Sequence, residues 1–313
     1  MKFRKLVLYD LSTKPLEKEL LKQLKQFAYE VSVVSVPREY CRGLKPFHLR
    51  GADALVTRLF DFYDDRLFEK SNLKYVGAMH TDVSHFNLEL LKRKGISLCN
   101  VPEYSTESTA ELTISALLNI SRQTHDAMNF VKQGNWGFEG FLGWELKGKT
   151  LGVIGLGKIG GRVAELAQCF GMKVIYYSRS RKKLRGTRFV SLEKLLKESE
   201  VVSLHCSLSP QTRNLLNCRR LALMKKGAVL LDSARSELVD LNALHSLCKR
   251  KRLYAWFEAI EDAKTRAKFR KLDNVYLTPH FGWATKEAQQ RLRETTLANI
   301  KAFLNQRPQN TVE

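Results

Sequence analysis

The sequence contains no apolar run that approaches the roughly 20 residues needed to cross a bilayer. Its first 20 residues mix lysines with Asp10, Glu17 and Glu19. They therefore have neither the apolar centre of a signal peptide nor the shortage of acids typical of a transit peptide. Internal repeats and low-complexity segments are absent as well. We expect a cytoplasmic protein with no membrane partner.

Cysteine is scarce and scattered. The six cysteines are Cys41, Cys99, Cys169, Cys206, Cys218 and Cys248. They form neither a CxxC pair nor a His/Cys cluster with zinc spacing. We expect reduced, mostly structural thiols and no metal site.

Acidic residues are few relative to basic ones, 32 against 53, so the formal net charge is +21. A charge of this size indicates either a solvated basic surface or a field that attracts anions. The basic residues are spread along the whole chain, and no nucleic-acid motif accompanies them. The sequence therefore favours a basic surface, and a nucleic-acid-associated protein stays the less favoured alternative.

The composition, 44% hydrophobic and 27% charged over 313 residues, is typical of a globular protein, and the length favours two domains. In the first hundred residues, apolar strand patterns alternate with helical ones, which indicates a parallel sheet. The predicted strands are Lys5–Tyr9, Val31–Val36, Ala54–Thr57, Leu73–Gly77 and Ile96–Cys99, and the predicted helices are Pro15–Phe27 and Leu88–Lys94.

A long helix, Ser105–Arg122, is predicted to lead into a second unit of the same kind. A loop is expected from Gly134 to Trp144. The predicted strands of this unit are Leu151–Ile154, Lys173–Tyr177, Val201–His205, Ala228–Asp232, Leu253–Trp256 and Val275–Thr278. A final helix, Lys286–Leu304, should return to the first domain. The predicted fold is therefore α/β, with two Rossmann-like or flavodoxin-like parallel-sheet domains.

A glycine turn lies between the strand Leu151–Ile154 and the next helical pattern. Gly155 permits the tight turn, Gly157 lets the backbone approach a pyrophosphate, and Gly160 allows close packing of helix on strand. Phosphates bind at the positive end of such a helix. Because the motif follows a strand and opens a helix, it predicts a dinucleotide site.

The strand Lys173–Tyr177 ends in a basic segment, residues 178–183, which contains no acid. An NAD site normally has a carboxylate here to accept from the ribose hydroxyls. Ser178, Arg179 and Ser180 instead suit the extra phosphate of NADP, since arginine binds phosphate with charge-assisted bonds. We predict NADP(H) as the cofactor. NAD, with a merely solvated basic turn here, stays the alternative.

The order of the motifs resembles the D-isomer-specific 2-hydroxyacid dehydrogenases over nearly the whole chain. Within that family, the resemblance is greatest to glyoxylate and hydroxypyruvate reductases. It is carried by Leu73–Gly77, Ser108–Leu112, Gly148–Gly160, Ser233–Arg235 with Leu238–Asp240, and Leu277–His280. It implies hydride transfer between NADP(H) and a small 2-oxo or 2-hydroxy acid in an interdomain active-site cleft. It also implies a homodimer.

The resemblance implies three catalytic residues. His280 matches the acid/base that exchanges a proton with the substrate oxygen, a role that suits a group of pKa near 6.5. Glu261 matches the carboxylate that holds this imidazole and favours its charged form. Arg235 matches the cation that grips the substrate carboxylate and polarises the carbonyl.

The remaining predicted site residues come from the glycine motif, the basic segment 178–183 and the resemblance. Those assigned to the cofactor are Thr109, Gly155, Gly157, Lys158, Ile159, Gly160, Ser178, Arg179, Ser180, Ser207 and Ala234. Those assigned to the substrate are Met79, His80, Thr81 and Arg235. Residues 1–101 with 285–313 are predicted to bind the substrate, and residues 102–284 the dinucleotide.

The chain departs from the family pattern around Glu261. The family's Asp-Val-Phe, Glu-Pro motif is replaced so that Trp256 takes the position of the aspartate that anchors the nicotinamide amide. Asp262 takes that of the proline. Glu258 is then a rival to Glu261 as the partner of His280.

Further departures concern the substrate. Met79–Asp82 replace a glycine-containing loop that receives the carboxylate in relatives, and an aspartate there repels a carboxylate unless it points away or meets a cation. Ser236 replaces a glycine, and Asp232 stands where asparagine is common. The substrate is therefore left open. Two alternatives to this enzyme also stay open: a dinucleotide-sensing or corepressor-type protein with little turnover, and another dehydrogenase on this fold.

Overall fold

A computed structural model describes residues 1–10, 15–35, 43–58 and 63–312 of the chain. Two residues named in the sequence analysis lie outside the described residues. They are Cys41 and Val36, and Val36 is the last residue of the predicted strand Val31–Val36. The chain forms two compact units. The first comprises Met1–Tyr104 with Lys286–Glu313, and the second comprises Ser105–Thr285.

Strands and helices alternate along the chain. The strands are β1 (Phe3–Asp10), β2 (Ala28–Ser35), β3 (Ala54–Thr57), β4 (Tyr75–Ala78), β5 (Ser97–Cys99), β6 (Thr150–Ile154), β7 (Lys173–Tyr177), β8 (Thr187–Phe189), β9 (Val201–Leu204), β10 (Ala228–Asp232), β11 (Leu253–Phe257) and β12 (Val275–Leu277). The α-helices are α1 (Pro15–Leu24), α2 (Asp65–Glu69), α3 (Leu88–Arg93), α4 (Thr106–Arg122), α5 (Thr124–Lys132), α6 (Lys158–Cys169), α7 (Leu192–Glu198), α8 (Cys218–Leu221), α9 (Leu241–Lys249), α10 (Ala263–Phe269) and α11 (Lys286–Leu304). Short 3₁₀ helices cover Pro46–Leu49 and Ser236–Leu238.

The first unit contains a five-stranded parallel sheet in the order β2-β1-β3-β4-β5. This is the flavodoxin-like order. Helix α11 contributes Leu292 and Ile300 to the same core as Leu6 and Leu8 of β1. The last helix of the chain is thus part of the unit that the first strand begins.

The second unit contains a seven-stranded parallel sheet in the order β12-β11-β10-β9-β6-β7-β8. Strands β9 and β10 are buried along their whole length, as expected for a parallel sheet covered on both faces. The strand order reverses between β6 and β9. Ligands of such sheets bind beyond the carboxyl ends of the strands at this switch point.

Helix α6 shows how the sequence builds this edge. It begins directly after Gly157 and buries Val163, Ala164 and Ala167 on one side. It ends at Cys169, and Gly171, with a φ of +74°, turns the chain into β7. The helix N-terminus is therefore held at the carboxyl end of β6.

The predicted α/β fold with two parallel sheets is confirmed. Most predicted strands and helices shift by one to three residues at their ends, because helix and strand ends are set by hydrogen bonds that periodicity does not report. Helix α1 ends at Leu24 rather than Phe27, β2 runs over Ala28–Ser35, and β4 over Tyr75–Ala78.

No helix in the described part of the chain is long and apolar enough to cross a membrane. Among the described residues, no group of three or more His, Cys, Asp or Glu side chains is arranged to hold a metal ion. Five of the cysteines are described, and all are free thiols: Cys99, Cys169, Cys206, Cys218 and Cys248.

Candidate active site

The turn between β6 and α6 is tightly packed at two glycines and open at a third. Gly155 has a φ of +97°, and a Cβ atom on it would lie 2.6 Å from the backbone nitrogen of Cys206. A Cβ atom on Gly160 would overlap the carbonyl oxygen of Gly155. At Gly157 a Cβ atom would meet no atom within 4 Å, and no side chain caps the helix. The backbone N–H groups of the first turn, which includes Lys158 and Ile159, therefore form a cradle that fits a pyrophosphate.

The carboxyl end of β7 carries the predicted NADP-recognition residues. The Ser178 hydroxyl donates to the carbonyl oxygen of Ser180 at 2.5 Å. The guanidinium of Arg181 lies 5.2 Å from the ring centre of Phe189. Arg179 is exposed at the end of the strand. Arg181 is exposed as well, so the two arginines differ in the aromatic contact of Arg181 and not in exposure.

His205 ties together the ends of β9 and β10. Its Nε2 atom lies 2.7 Å from the Ser203 hydroxyl and its Nδ1 atom 2.9 Å from the Ser233 hydroxyl. Burial lowers the pKa of His205 to about 3, so the ring is neutral. The network fixes the backbone that leads from Ser233 into Arg235.

His280 follows β12 in a left-handed conformation, with a φ of +57°. Such a φ is unusual for a residue with a Cβ atom. It is held from both sides, since the His280 N–H donates to the carbonyl oxygen of Glu258 at 3.0 Å and the Trp283 indole N–H donates to the His280 carbonyl at 3.1 Å. The ring itself is 46% exposed.

Two carboxylates lie beside the ring of His280. Glu261 Oε1 is 2.9 Å from Nδ1, and Glu258 Oε2 is 3.6 Å from Nε2. The hydrogen bond to Glu261 raises the pKa of His280, and the charges of Glu258 and Glu261 add to that effect. Burial and the charge of Arg235 oppose it. The geometry thus gives Glu261, rather than Glu258, the hydrogen bond to Nδ1.

Arg235 belongs to the same cluster. The hydrogen bond between Glu261 and His280 has the largest effect on the pKa of each. The charge of Arg235 has a smaller effect, and it lowers the pKa of both groups. Arg235 directly precedes the 3₁₀ helix Ser236–Leu238 at the end of β10. The structure therefore brings together the three residues that the sequence predicted as catalytic.

Asp232 is the last residue of β10 and lies next to this cluster. One carboxylate oxygen accepts the Ala234 N–H at 2.8 Å, and its backbone carbonyl accepts the Glu258 N–H at 2.8 Å. The other carboxylate oxygen is buried without a hydrogen-bond partner among the described residues. Burial raises the pKa of Asp232 to about 7, and the charges of Glu237 and Glu258 add to the shift.

Trp256, which takes the position of the family's aspartate, lies inside β11. This side chain is 2% exposed and packs inside the core with Leu231 of the neighbouring strand, so it does not stand at the sheet edge. The acid that follows the end of β11 is Glu258. Asp262, which replaces the family's proline, caps α10 by accepting the Thr265 N–H.

The predicted substrate loop lies in the first unit, after β4. The Met79 N–H donates to the Thr57 carbonyl, His80 Nδ1 lies 2.7 Å from the Asp82 carbonyl oxygen, and the Thr81 hydroxyl donates to a neighbouring backbone carbonyl. The Asp82 carboxylate accepts the Ser84 N–H at 2.8 Å. Asp82 therefore has a local hydrogen-bond donor.

The other predicted cofactor residues also lie in the second unit. Thr109 is buried in α4 and its hydroxyl is 3.5 Å from the Gly282 carbonyl oxygen. Ser207 is exposed after β9, and Ala234 directly precedes Arg235. The sequence reasoning missed Ser203, His205 and Ser233 as a network. A signal was available for His205 and Ser233, which are polar residues directly after the buried strands β9 and β10, where the carboxyl ends of parallel strands meet.

Comparison with known proteins decides the family. Residues 114–282 match the sequence model of the D-isomer specific 2-hydroxyacid dehydrogenase, NAD binding domain. The chain belongs to this family. A glyoxylate reductase from Thermococcus litoralis is 35% identical over 309 residues, which cover 93% of this chain and 92% of the relative.

Solved structures agree with this membership. An acyclic imino acid reductase in complex with NADPH and D-arginine superposes with a TM-score of 0.89 at 29% identity, covering 99% of this chain and 100% of that one. A D-lactate dehydrogenase from Aquifex aeolicus, complexed with NAD and lactic acid, gives a TM-score of 0.86 at 29% identity and 96% coverage of both chains. The chain is therefore an oxidoreductase that uses a nicotinamide dinucleotide to transfer hydride to and from small 2-oxo and 2-hydroxy acids.

Proposed function

We propose that this dehydrogenase is an NADPH-dependent reductase of a small 2-oxo acid, with Arg235, Glu261 and His280 as its catalytic residues. The observation that carries the proposal is the 2.9 Å hydrogen bond between Glu261 and His280 within the field of Arg235. The reaction needs a protonated imidazole to give a proton to the carbonyl oxygen and a guanidinium to bind the anionic substrate. The carboxylate of Glu261 stabilises the protonated imidazole. Glyoxylate and hydroxypyruvate are the first substrates to test.

The second unit binds the dinucleotide in this proposal. Gly155, Gly157 and Gly160 form the turn, and the first N–H groups of α6, including those of Lys158 and Ile159, receive the pyrophosphate. Thr109, Ser207 and Ala234 contact the remainder of the cofactor. The first unit binds the substrate through Met79, His80 and Thr81.

Arg179 is the residue we propose to recognise the 2′-phosphate of NADPH, helped by Ser178 and Ser180. Residues 178–183 contain no acid, and Arg179 and Arg181 are both exposed, but the guanidinium of Arg181 lies over the ring of Phe189. A guanidinium pairs well with phosphate. Arg179→Ala should raise KM for NADPH at least about tenfold with little effect on NADH. Arg181→Ala is the matched control and should leave the preference for NADPH intact.

In the reducing direction Arg235 holds the substrate carboxylate and His280 faces the carbonyl oxygen. When bound, the dihydronicotinamide supplies the hydride to the carbonyl carbon. Because Glu261 occupies Nδ1, the proton for the oxygen comes from Nε2. Arg235 draws electron density toward the oxygen as the bond order falls.

The proposal is tested by NADPH oxidation with glyoxylate, hydroxypyruvate, pyruvate and bulkier 2-oxo acids, repeated with NADH. The panel is run with and without ammonia, because one solved relative is an acyclic imino acid reductase. We expect turnover of a small 2-oxo acid and a lower KM for NADPH than for NADH. Tight NADPH binding without turnover of any of these acids would indicate a sensing role instead.

We also infer a homodimer formed through the second unit. Helix α5 buries no residue, and the segment after it exposes large apolar side chains. Trp136 is 90% and Phe138 is 83% exposed, with Met128, Val131 and Leu142 also exposed. A patch of this kind marks an interface more often than a solvated surface. Sedimentation of the double variant Trp136→Ser, Phe138→Ser should show a monomer, and an unchanged dimer would exclude this surface.

A further inference from the structure

Glu258 is a second carboxylate beside the ring of His280, on the side opposite Glu261. Its Oε2 atom is 3.6 Å from Nε2, whereas Glu261 Oε1 is 2.9 Å from Nδ1. Each ring nitrogen therefore has its own carboxylate. Nε2 is the nitrogen from which the proposed reaction takes its proton.

The Glu258 side chain is held firmly by its surroundings. It is 8% exposed, and its Oε1 atom accepts the Gly282 N–H at 2.6 Å. Its backbone N–H donates to Asp232, and its backbone carbonyl accepts from His280. The carboxylate therefore has one oxygen fixed by Gly282 and the other directed toward the ring.

We propose that Glu258 is a positioning residue for the reaction, which acts through His280: it stabilises the charged form of the ring and leaves the Nε2–H available to the substrate oxygen. The proposal rests on the acid/base role that we propose for His280. Glu258 acts through that ring and does not itself exchange a proton with the substrate. Its charge is the same before and after the reaction.

The distance explains why Glu258 does not capture the proton. At 3.6 Å the contact is longer than a hydrogen bond, but the charges still attract each other. The Nε2–H therefore stays available to a carbonyl oxygen that arrives at hydrogen-bond distance. The shorter bond at Nδ1 keeps the other proton with Glu261.

His280 and water account for every proton that is transferred in the proposed reaction. In reduction, the proton leaves Nε2 for the carbonyl oxygen as the carbon receives hydride, and the neutral ring then takes a proton from water. Oxidation reverses both steps. Among the described residues, the charged groups that act on the ring are Arg235, Glu258 and Glu261, and Asp232, when it is ionised, repels the charge of Glu258.

A structural role for Glu258 makes a different prediction, because its Oε1 atom also anchors Gly282. Glutamine keeps an oxygen that accepts the Gly282 N–H, but it removes the charge. Glu258→Gln therefore separates the two roles. Glu258→Asp keeps the charge on a side chain one methylene shorter, and Glu145→Gln removes a charge from an exposed glutamate as the matched control.

The test measures the titration of His280 by ¹⁵N NMR on the chain without cofactor, with His280→Ala to assign the signal. We expect Glu258→Gln to lower the His280 pKa by about one unit, since a charge at this distance contributes that much even in a solvated site. Glu258→Asp should give a smaller shift and Glu145→Gln none. With the complete enzyme, the alkaline limb of kcat/KM for reduction should move down by the same amount in Glu258→Gln.

An unchanged His280 titration in folded Glu258→Gln would overturn the proposal and leave Glu258 as an anchor of Gly282. Should Glu258→Gln not fold, the wild-type chain decides the matter. The ¹³C signal of the Glu258 carboxylate, assigned with Glu258→Asp, must then show an inflection at the His280 pKa, and its absence would overturn the proposal. Because neither titration needs turnover, failure of the proposed reductase function is seen separately, in the substrate panel.

Discussion

Gly160 stands so close to Gly155 that a Cβ atom on it would overlap the Gly155 carbonyl oxygen. The same Cβ atom would lie 3.1 Å from the His205 side chain. Gly157, between the two, faces open space. The three glycines of one motif therefore serve two purposes, close packing at Gly155 and Gly160 and ligand access at Gly157.

Alanine at Gly160 and alanine at Gly157 should therefore fail in different ways. Gly160→Ala should lower the free energy of unfolding by about 3 kcal/mol, because the backbone must move to relieve the overlap. Gly157→Ala should leave stability within about 0.5 kcal/mol but weaken NADPH binding at least roughly tenfold, since its methyl group enters the space for the phosphate. Urea unfolding and NADPH fluorescence titration measure the two effects.

Gly161→Ala is the control for both variants. A Cβ atom there meets nothing within 4 Å, and the position is inside α6. This variant should gain about 0.5–1 kcal/mol from helix propensity and bind NADPH normally. Equal losses of stability in Gly157→Ala and Gly160→Ala would contradict the division of roles.

The glycine motif and the buried strands were predictable because both depend on local signals. A turn that needs glycine and a strand that needs apolar residues on both faces are visible in a few adjacent letters. The strands β6, β7, β9 and β10 accordingly lie within one residue of their predicted bounds. The sequence did not locate strand β8 or the helices α2, α5, α7, α8, α9 and α10, because elements this short show little periodicity.

The surroundings of His280 were only partly predictable. Glu261 as the partner of His280 came from the resemblance, but the position of Glu258 depends on where β11 ends. Trp256 is inside that strand and packs in the core, whereas Glu258, two residues later, stands beyond its end. The two residues that separate Trp256 from Glu258 are fewer than the usual error in predicting a strand end from the sequence. The contact between Glu258 and Nε2 of His280 could therefore not be predicted from the sequence.

Arg235 should be needed mainly to bind the substrate carboxylate. Arg235→Gln is expected to lower kcat/KM for a 2-oxo acid at least about a hundredfold, while Arg235→Lys should recover part of the loss because it keeps the charge but not the planar fork. Since the charge of Arg235 lowers the pKa of His280, the alkaline limb of Arg235→Gln should move to higher pH. Steady-state kinetics from pH 5 to 10 measure both effects, and an unchanged kcat/KM would remove Arg235 from the site.

Glu261 should control both the rate and its pH dependence. Its hydrogen bond raises the pKa of His280, so the ring stays charged, and reduction persists, up to a pH above the ordinary value of 6.5. Glu261→Gln removes that effect and should move the alkaline limb to lower pH while kcat falls about tenfold or more. Glu261→Asp, which keeps the charge, should fall between. Full activity of Glu261→Gln at every pH would contradict the assignment.

Asp232 should make the protein less stable as the pH rises. Its pKa is raised from 3.8 to about 7 by burial, so between these values the unfolded chain releases a proton that the folded chain keeps. The free energy of unfolding therefore falls through that range and levels off above it. Asp232→Asn removes the titrating group and can still accept the Ala234 N–H, so its advantage over the wild type should grow by about 3 kcal/mol between pH 5 and pH 8. Asp262→Asn is the control, because the pKa of this exposed capping residue is lowered and its effect on stability is already complete at pH 5. Urea unfolding at the two pH values decides the matter, and a stability difference between Asp232→Asn and the wild type that does not change with pH would mean that Asp232 is ionised throughout.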